Sequence, residues 1–140
     1  MRAVLLEVPE SMLAERRRLG LDGRDEVWDS VLHMVPDQLY CRPEHQSDRG
    51  AERAELVVEI RSKDDETYEK IGFYAALGVQ EMLIVHPEGR RVELLRAVGG
   101  QLLPVSADAQ GALRSDVLAT QFATADGTLR ITWQDGTAEI

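Results

Sequence analysis

Two charged side chains stand where the surrounding sequence is otherwise apolar. Glu59 interrupts the run Leu56-Val57-Val58-Glu59-Ile60, and Lys70 follows in Glu69-Lys70-Ile71-Gly72-Phe73-Tyr74-Ala75. A carboxylate on a buried strand and a lysine on an apolar helix face each cost free energy unless they are paired or at work. Both fall inside one segment, Ala54 to Val79, and that segment makes the chain a candidate enzyme.

The elements that must position these residues are readable around them. The nearly continuous apolar run from Glu55 to Ile60 predicts a central strand buried on both faces. A polar turn, Ser62-Lys63-Asp64-Asp65, leads into a helix from about Glu66 to Leu77, which Gly78 stops. Gln80 to His86 predicts a second buried strand, closed by Pro87-Glu88-Gly89. On a helical wheel at about 100° per residue, Lys70 falls between Leu77 and Tyr74, in an arc shared with Thr67, Ile71, Phe73 and Ala75. Glu69, Gly72 and Ala76 take the opposite side. From there Lys70 could run its stem out to solvent or reach a carboxylate at the end of the preceding strand, and Glu59 is the obvious partner.

Before this segment, residues 9 to 19 read as a short helix ending at Gly20, Glu26 to Met34 as a strand, and Gln38 to Cys41 as a second short strand after the break at Pro36. Residues 43 to 53 read as a polar loop. After it, residues 91 to 97 and 101 to 105 flank Gly99-Gly100 as a hairpin. Gly127 to Trp133 and Thr137 to Ile140 form another around Asp135-Gly136. Together these predict an α/β fold with a mixed central β-sheet flanked by helices. A length of 140 residues predicts a single domain: an N-terminal helix and strand (1–34), a core (35–105) and a C-terminal hairpin region (106–140).

Composition narrows the function. Hydrophobic residues at 44% and charged residues at 29% exclude a disordered chain. No apolar run approaches the roughly 20 residues that span a bilayer, and the N-terminal apolar patch is broken by Glu7 and Pro9, unlike a signal peptide. A single cysteine, Cys41, excludes an internal disulfide and a cysteine-rich zinc site, and leaves a reducing cytoplasm as the expected compartment. His33, His45 and His86 lack zinc-ligand spacing. No nucleophile elbow, phosphate loop or dinucleotide fingerprint is present. The net charge of −9 disfavours loose sliding on nucleic acid. It leaves room for a nucleic-acid enzyme, because a metal site needs carboxylates and a local basic patch can still steer.

Several motifs recur in order between residues 35 and 105. They are Val35-Pro36-Asp37, the strand Leu56-Val57-Val58-Glu59-Ile60 with Arg61-Ser62, the helix Glu69-Lys70-Ile71-Gly72-Phe73-Tyr74-Ala75, and Glu81-Met82-Leu83-Ile84-Val85-His86-Pro87. In this series the chain resembles the Uma2 family, which is assigned to the PD-(D/E)XK restriction-endonuclease-like fold. The resemblance implies a metal-dependent DNA endonuclease. It makes Asp37 the metal-binding aspartate, Glu59 the second acidic ligand, and Lys70 the catalytic lysine, moved from strand to helix. At the usual strand position for that lysine stands Arg61, which could contact phosphate but does not readily exchange a proton. The implied chemistry suits these residue types. Phosphodiester hydrolysis uses a divalent metal to polarise a phosphoryl oxygen and activate water, and Mg²⁺ (or Mn²⁺) takes oxygen ligands, here Asp37, Glu59 and the Ile60 carbonyl.

The chain also departs from the family. Asp25 to Pro36 resembles the family's N-terminal strand but runs almost directly into Val-Pro-Asp, so a helix and further strands are expected to be missing. In a second alignment Pro36 and Glu44-His45-Gln46 match the family's early segment, and Asp37 is then no ligand. Read by residue type alone, Asp37 is equally a turn residue, and Glu59 a strand-end acid paired with Arg61 or Lys63. The alternative function is a catalytically impaired, shortened relative acting as a binding or dimerisation module. Sheet surface exposed by missing elements would favour a homodimer. A third reading is a structural protein whose Glu59–Lys70 pair is a buried ion pair, which adds little net stability.

Overall fold

Alternation of apolar side chains in three neighbouring strands creates the core of this molecule. The structure is a computed structural model that describes residues 3–5, 11, 14, 18, 26–28, 31–34, 38–47, 50–51, 54–63 and 67–140. Its strands, in chain order, are β1 (Ala3–Leu5), β2 (Glu26–Trp28), β3 (Val31–Met34), β4 (Gln38–Tyr40), β5 (Gln46–Ser47), β6 (Gly50–Ala51), β7 (Leu56–Ile60), β8 (Glu81–His86), β9 (Arg91–Val98), β10 (Gln101–Pro104), β11 (Leu113–Ser115), β12 (Thr120–Ala125), β13 (Thr128–Trp133) and β14 (Gly136–Glu139). They form three sheets, ordered β2-β3-β1-β6-β5, β10-β9-β8-β7-β4 and β11-β12-β13-β14.

The middle sheet is mixed, as the sequence predicts. β7 and β8 run parallel, with Glu59 opposite Ile84, while β4 and β9 pair antiparallel on either side of them. The crossover between β7 and β8 carries the helix Ile71–Ala76. Because side chains alternate along a strand, Val57, Met82, Ile84 and Leu95 face this helix and pack with Phe73, Tyr74, Val79 and Leu102. Leu83 and Leu94 point the other way and meet Phe122 and Leu129 of the C-terminal sheet. The middle sheet is thus covered by a helix on one face and by a second sheet on the other.

The expected helical flanks are seen only in part. The described residues are mainly β-sheet; beyond the helix Ile71–Ala76 and two short 3₁₀ turns, Ser11, Ala14 and Arg18 are helical, within the stretch 9–19 read as a helix from sequence. The C-terminal region is a four-stranded meander instead of a lone hairpin. β12 and β13 join at Asp126-Gly127, where both residues take positive φ (50° and 74°). This is the left-handed pair that a tight hairpin turn needs and that Asp-Gly supplies most readily. Gly99 and Gly100 do the same between β9 and β10, at φ 58° and 81°.

Three boundaries also differ from the sequence reading. The stretch Glu26 to Met34 is two strands paired antiparallel, Val27 opposite Leu32, with Asp29-Ser30 between them in sequence. The loop at 43–53 contains the two-residue strands β5 and β6, with Gln46 opposite Ala51. The helix begins at Ile71 instead of near Glu66, and residues 67–70 form turns in which Ile71 N donates to the Tyr68 carbonyl at 3.3 Å. The wheel nevertheless orients this segment: Thr67, Phe73 and Tyr74 are buried, while Glu69, Gly72 and Ala76 are exposed.

Phe122 anchors the contact between the two sheets, so Phe122→Ala is expected to lower stability by about 3–5 kcal/mol. A urea titration would check this, with the exposed Trp133→Ala as a control of smaller effect.

Candidate functional site

Glu59 lies on the helix-facing side of β7, one residue from the strand's C-terminal end, and is 3% exposed. A carboxylate so buried requires donors. Lys70 supplies one, its Nζ 2.9 Å from Glu59 Oε2. Tyr74, one helical turn on and fully buried, donates its hydroxyl to Oε1. The Lys70 side chain keeps only 15% of its surface exposed. Its stem therefore runs inward to the carboxylate, which decides between the two courses open to it from sequence. The strand, turn and returning helix bring these groups together because Lys70 and Tyr74 share the inward face four residues apart.

A second group of polar side chains stands beside this pair. Arg61 extends the β7 ladder by one residue, its N–H donating to the Val85 carbonyl at 2.8 Å. Its guanidinium carbon lies 4.6 Å from the centre of the Tyr68 ring. The Tyr68 hydroxyl donates to Glu93 Oε1 at 2.7 Å, and the His86 Nε2–H donates to that same oxygen. Glu93 is opposite Ile84, which is opposite Glu59, so the two glutamates share one face of the sheet two strands apart. At about 4.8 Å per strand, their backbones are separated by roughly 10 Å.

The electrostatics of the second group are coupled. Burial pushes the Glu93 carboxyl up. The hydrogen bonds from Tyr68 and His86, with the charges of His86 and Arg91, outweigh burial and hold it below its ordinary value. The hydrogen bond to Glu93 raises the Tyr68 hydroxyl, helped by burial and the Glu93 charge and opposed by Arg61. Both shifts favour the same arrangement, a neutral phenol donating to an ionised carboxylate.

Of the residues expected at the site, Glu59 and Lys70 are brought together. Ile60 follows on the opposite face of β7, its side chain 46% exposed. Asp37 lies outside the described residues, and its neighbour Gln38 is paired with Val58, next to Glu59 in sequence. Among the described residues, no three acidic, histidine or cysteine side chains converge on a metal-sized site. The sequence reading missed Glu93, Tyr68 and Tyr74 as partners. Tyr74 was visible on the wheel beside Lys70, but the link to Glu93 depends on the register of a third strand.

The sequence reading also took Glu81 only as the start of a strand. It is 1% exposed and faces the C-terminal sheet. Arg96 donates to its Oε1 through Nε at 3.0 Å and Nη2 at 2.8 Å, Ser115 donates its hydroxyl, and the Asp116 N–H lies at 3.0 Å. This carboxylate joins the two sheets.

A buried acid and a lysine thus meet at the C-terminal end of the parallel strands β7 and β8. Open α/β sheets bind ligands at that end. The family model for Uma2, "Putative restriction endonuclease", matches residues 30–130, and the chain belongs to this family. The resemblance seen in the motifs is therefore correct, and it carries the restriction-endonuclease-like fold with it. Among curated proteins, none matches the chain. No helix among the described residues is long and apolar enough to cross a membrane.

Two expectations follow from the geometry. Lys70→Met strands a buried carboxylate and should cost about 3–5 kcal/mol. The double variant Glu59→Gln/Lys70→Met should recover much of that, as read from urea unfolding midpoints. Tyr68→Phe tests the coupled group. Because the folded Glu93 value is depressed, its contribution is present above the unfolded carboxyl value and fades as pH falls through the folded one. Tyr68 is raised, so its contribution is present below its unfolded value and fades as pH rises through the folded one. The stability gap between wild type and Tyr68→Phe should therefore be widest near neutrality and shrink towards both extremes, which a pH series of unfolding curves would show.

Proposed function

We propose that the protein is a metal-dependent DNA endonuclease of the PD-(D/E)XK type, acting in the cytoplasm, with Glu59 and Lys70 at its centre. The observation that carries this reading is the apposition of the Glu59 carboxylate and the Lys70 ammonium at the C-terminal end of β7, 2.9 Å apart, in a member of the Uma2 family.

The donor chemistry at Glu59 suits a hard cation. A carboxylate offers about four acceptor positions, and the bonds from Lys70 and Tyr74 use one on each oxygen. Mg²⁺ or Mn²⁺ would be held by Glu59 and the Ile60 carbonyl, with Asp37 supplying the second carboxylate. When bound, such a cation polarises a phosphoryl oxygen and lowers the pKa of a bound water. The chain's own groups do the rest. Tyr74 fixes the Glu59 carboxylate through Oε1. Lys70, anchored to Oε2, holds a positive charge where negative charge builds on the phosphate during cleavage. The apolar contacts of Phe73, Val57 and Ile84 beneath the pair exclude water from the side away from substrate.

A second reading is favoured by one observation: both Glu59 oxygens already have internal donors. In that reading the pair is structural, and the chain is an impaired relative that binds or dimerises.

Plasmid nicking separates the two. Purified protein with Mg²⁺ or Mn²⁺ is expected to nick supercoiled DNA, with no nicking in chelator. Glu59→Gln and Lys70→Ala, shown to be folded by circular dichroism, are expected to lose at least about 10²-fold in rate. A wild type that leaves the plasmid intact with either metal would refute the nuclease reading for that substrate.

A further inference from the structure

Hydrolysis of a phosphodiester releases a sugar oxygen, and that oxygen leaves most readily when a side chain hands it a proton. At the site described above Lys70 serves as a positive charge on Glu59. Arg61 does not readily exchange a proton. The Tyr68 hydroxyl is committed to Glu93, which holds it above its ordinary value.

His86 closes β8 at the same end of the sheet. Side chains alternate along a strand, so the face that carries the row Glu59, Ile84 and Glu93 carries a second row two residues further out. His86 is at its centre, opposite Arg91 of β9 and beside Arg61, where the β7 ladder continues. It is therefore diagonal to both Glu59 and Glu93, roughly 7–8 Å from each between backbones. The charged and titratable groups around the ring are Glu93, Arg91, Arg61 and the Tyr68 phenol.

The ring is engaged on one side only. Its Nε2–H donates to Glu93 Oε1, the oxygen that also accepts from Tyr68. The two nitrogens of an imidazole diverge, so Nδ1 points away from Glu93. Nδ1 has no partner among the described residues and is not among their buried unpaired atoms, so it reaches the surface; the side chain as a whole is 17% exposed. A carboxylate on one nitrogen fixes the tautomer and leaves the other free to carry a proton in and out.

We propose that His86 is the proton donor to the sugar oxygen that departs during strand cleavage, and that Glu93, itself held by Tyr68, is the positioning residue that leaves Nδ1 for this task. The role rests on the nuclease reading. The oxygen of a water bonds to phosphorus as the bond from phosphorus to the sugar oxygen breaks. The departing oxygen takes the Nδ1 proton and leaves as an alcohol. The attacking water gives one proton to solvent, and His86 regains one from solvent.

The test compares Mn²⁺-dependent cleavage of duplex oligonucleotides with ordinary linkages against ones with sulfur in the 3′- or 5′-bridging position. A thiolate departs without being protonated. His86→Ala should lose at least about 10²-fold on the oxygen substrate and stay close to the wild-type rate on one of the sulfur substrates. His86→Gln, an amide that can still bond Glu93, should show the same pattern. Glu93→Gln should lower kcat on the oxygen substrate with KM unchanged. In metal-free protein, ¹⁵N NMR of the neutral His86 ring should show the proton on Nε2 alone, and a mixture of tautomers in Glu93→Gln. An equal loss on oxygen and sulfur substrates, or no loss at all in either His86 variant, overturns the proton donor while the nuclease reading stands. A single unchanged tautomer in Glu93→Gln overturns the positioning role. A wild type that cleaves none of the substrates overturns the nuclease reading and the proton donor with it.

Discussion

Two buried glutamates on adjacent parallel strands constrain the arrangement of this molecule. Glu59 on β7 faces the helix, and Glu81 on β8 faces the C-terminal sheet. Neither can remain in an apolar layer without donors, because a lone buried charge costs several kcal/mol. Each therefore dictates what covers its side of the sheet. Glu59 requires Lys70 and Tyr74, which fixes where the helix starts and how it is rotated. Glu81 requires Arg96, Ser115 and the backbone at Asp116, which ties β8, β9 and the strand entering the C-terminal sheet into one unit. Apolar packing supplies the general attraction between layers. The carboxylates make that packing specific, since a shifted layer would leave one of them unsatisfied.

The two carboxylates also sit at opposite ends of the parallel pair. Glu81 opens β8 opposite Leu56, and Glu59 lies three positions further along, opposite Ile84. The Glu81 end is closed by the C-terminal sheet and is fully engaged in joining layers. The Glu59 end opens towards the turn at 67–70, where Arg61 and Tyr68 reach the surface. One kind of residue thus serves as a staple at one end and as a candidate centre at the other. What differs is the company each keeps among the described residues: Glu81 has an arginine, a serine and backbone N–H groups converging on it, whereas Glu59 has one lysine and one phenol.

Much of this was legible in the sequence, and the reasons for the rest are physical. The β7–helix–β8 unit announces itself because buried parallel strands are continuous apolar runs, and Gly78 marks the stop between them. The rotation of the helix follows from the wheel, since Lys70 has to share the face of Tyr74 and Phe73. The β11 and β12 strands escape because Thr120-Gln121-Phe122-Ala123-Thr124-Ala125 carries only one large apolar side chain, so its alternation has little amplitude. Asp126-Gly127 was the signal that could have revealed its hairpin. The early helix start was expected from periodicity alone, yet Tyr68 and Lys70 are drawn to Glu93 and Glu59, and those tertiary bonds favour a turn at 67–70. The Glu93 link could not be read at all, because nothing local says that β9 lies beside β8 in a register placing Glu93 on the row of Glu59. Asp37, the ligand inferred from the family, falls outside the described residues, so the candidate site is legible as a pair and not as a triad.

The two bonds that hold Glu59 are not equivalent, and this bears on how one carboxylate could serve both fold and chemistry. Tyr74 has no exposed surface and packs edge-on against Phe73, their ring centres 5.7 Å apart. Withdrawing its hydroxyl would mean moving the helix off the sheet. Lys70 stands at the helix start, on a flexible four-carbon stem, with part of its side chain at the surface. It can swing its ammonium towards an arriving anion while its stem stays in place. Tyr74 would then keep Oε1 fixed, and Oε2 would be the oxygen released to a new partner. Were the proposed nuclease site occupied by a phosphate, the structural duty would stay with one oxygen and the adaptable duty would pass to the other, and the helix would stay fastened to the sheet.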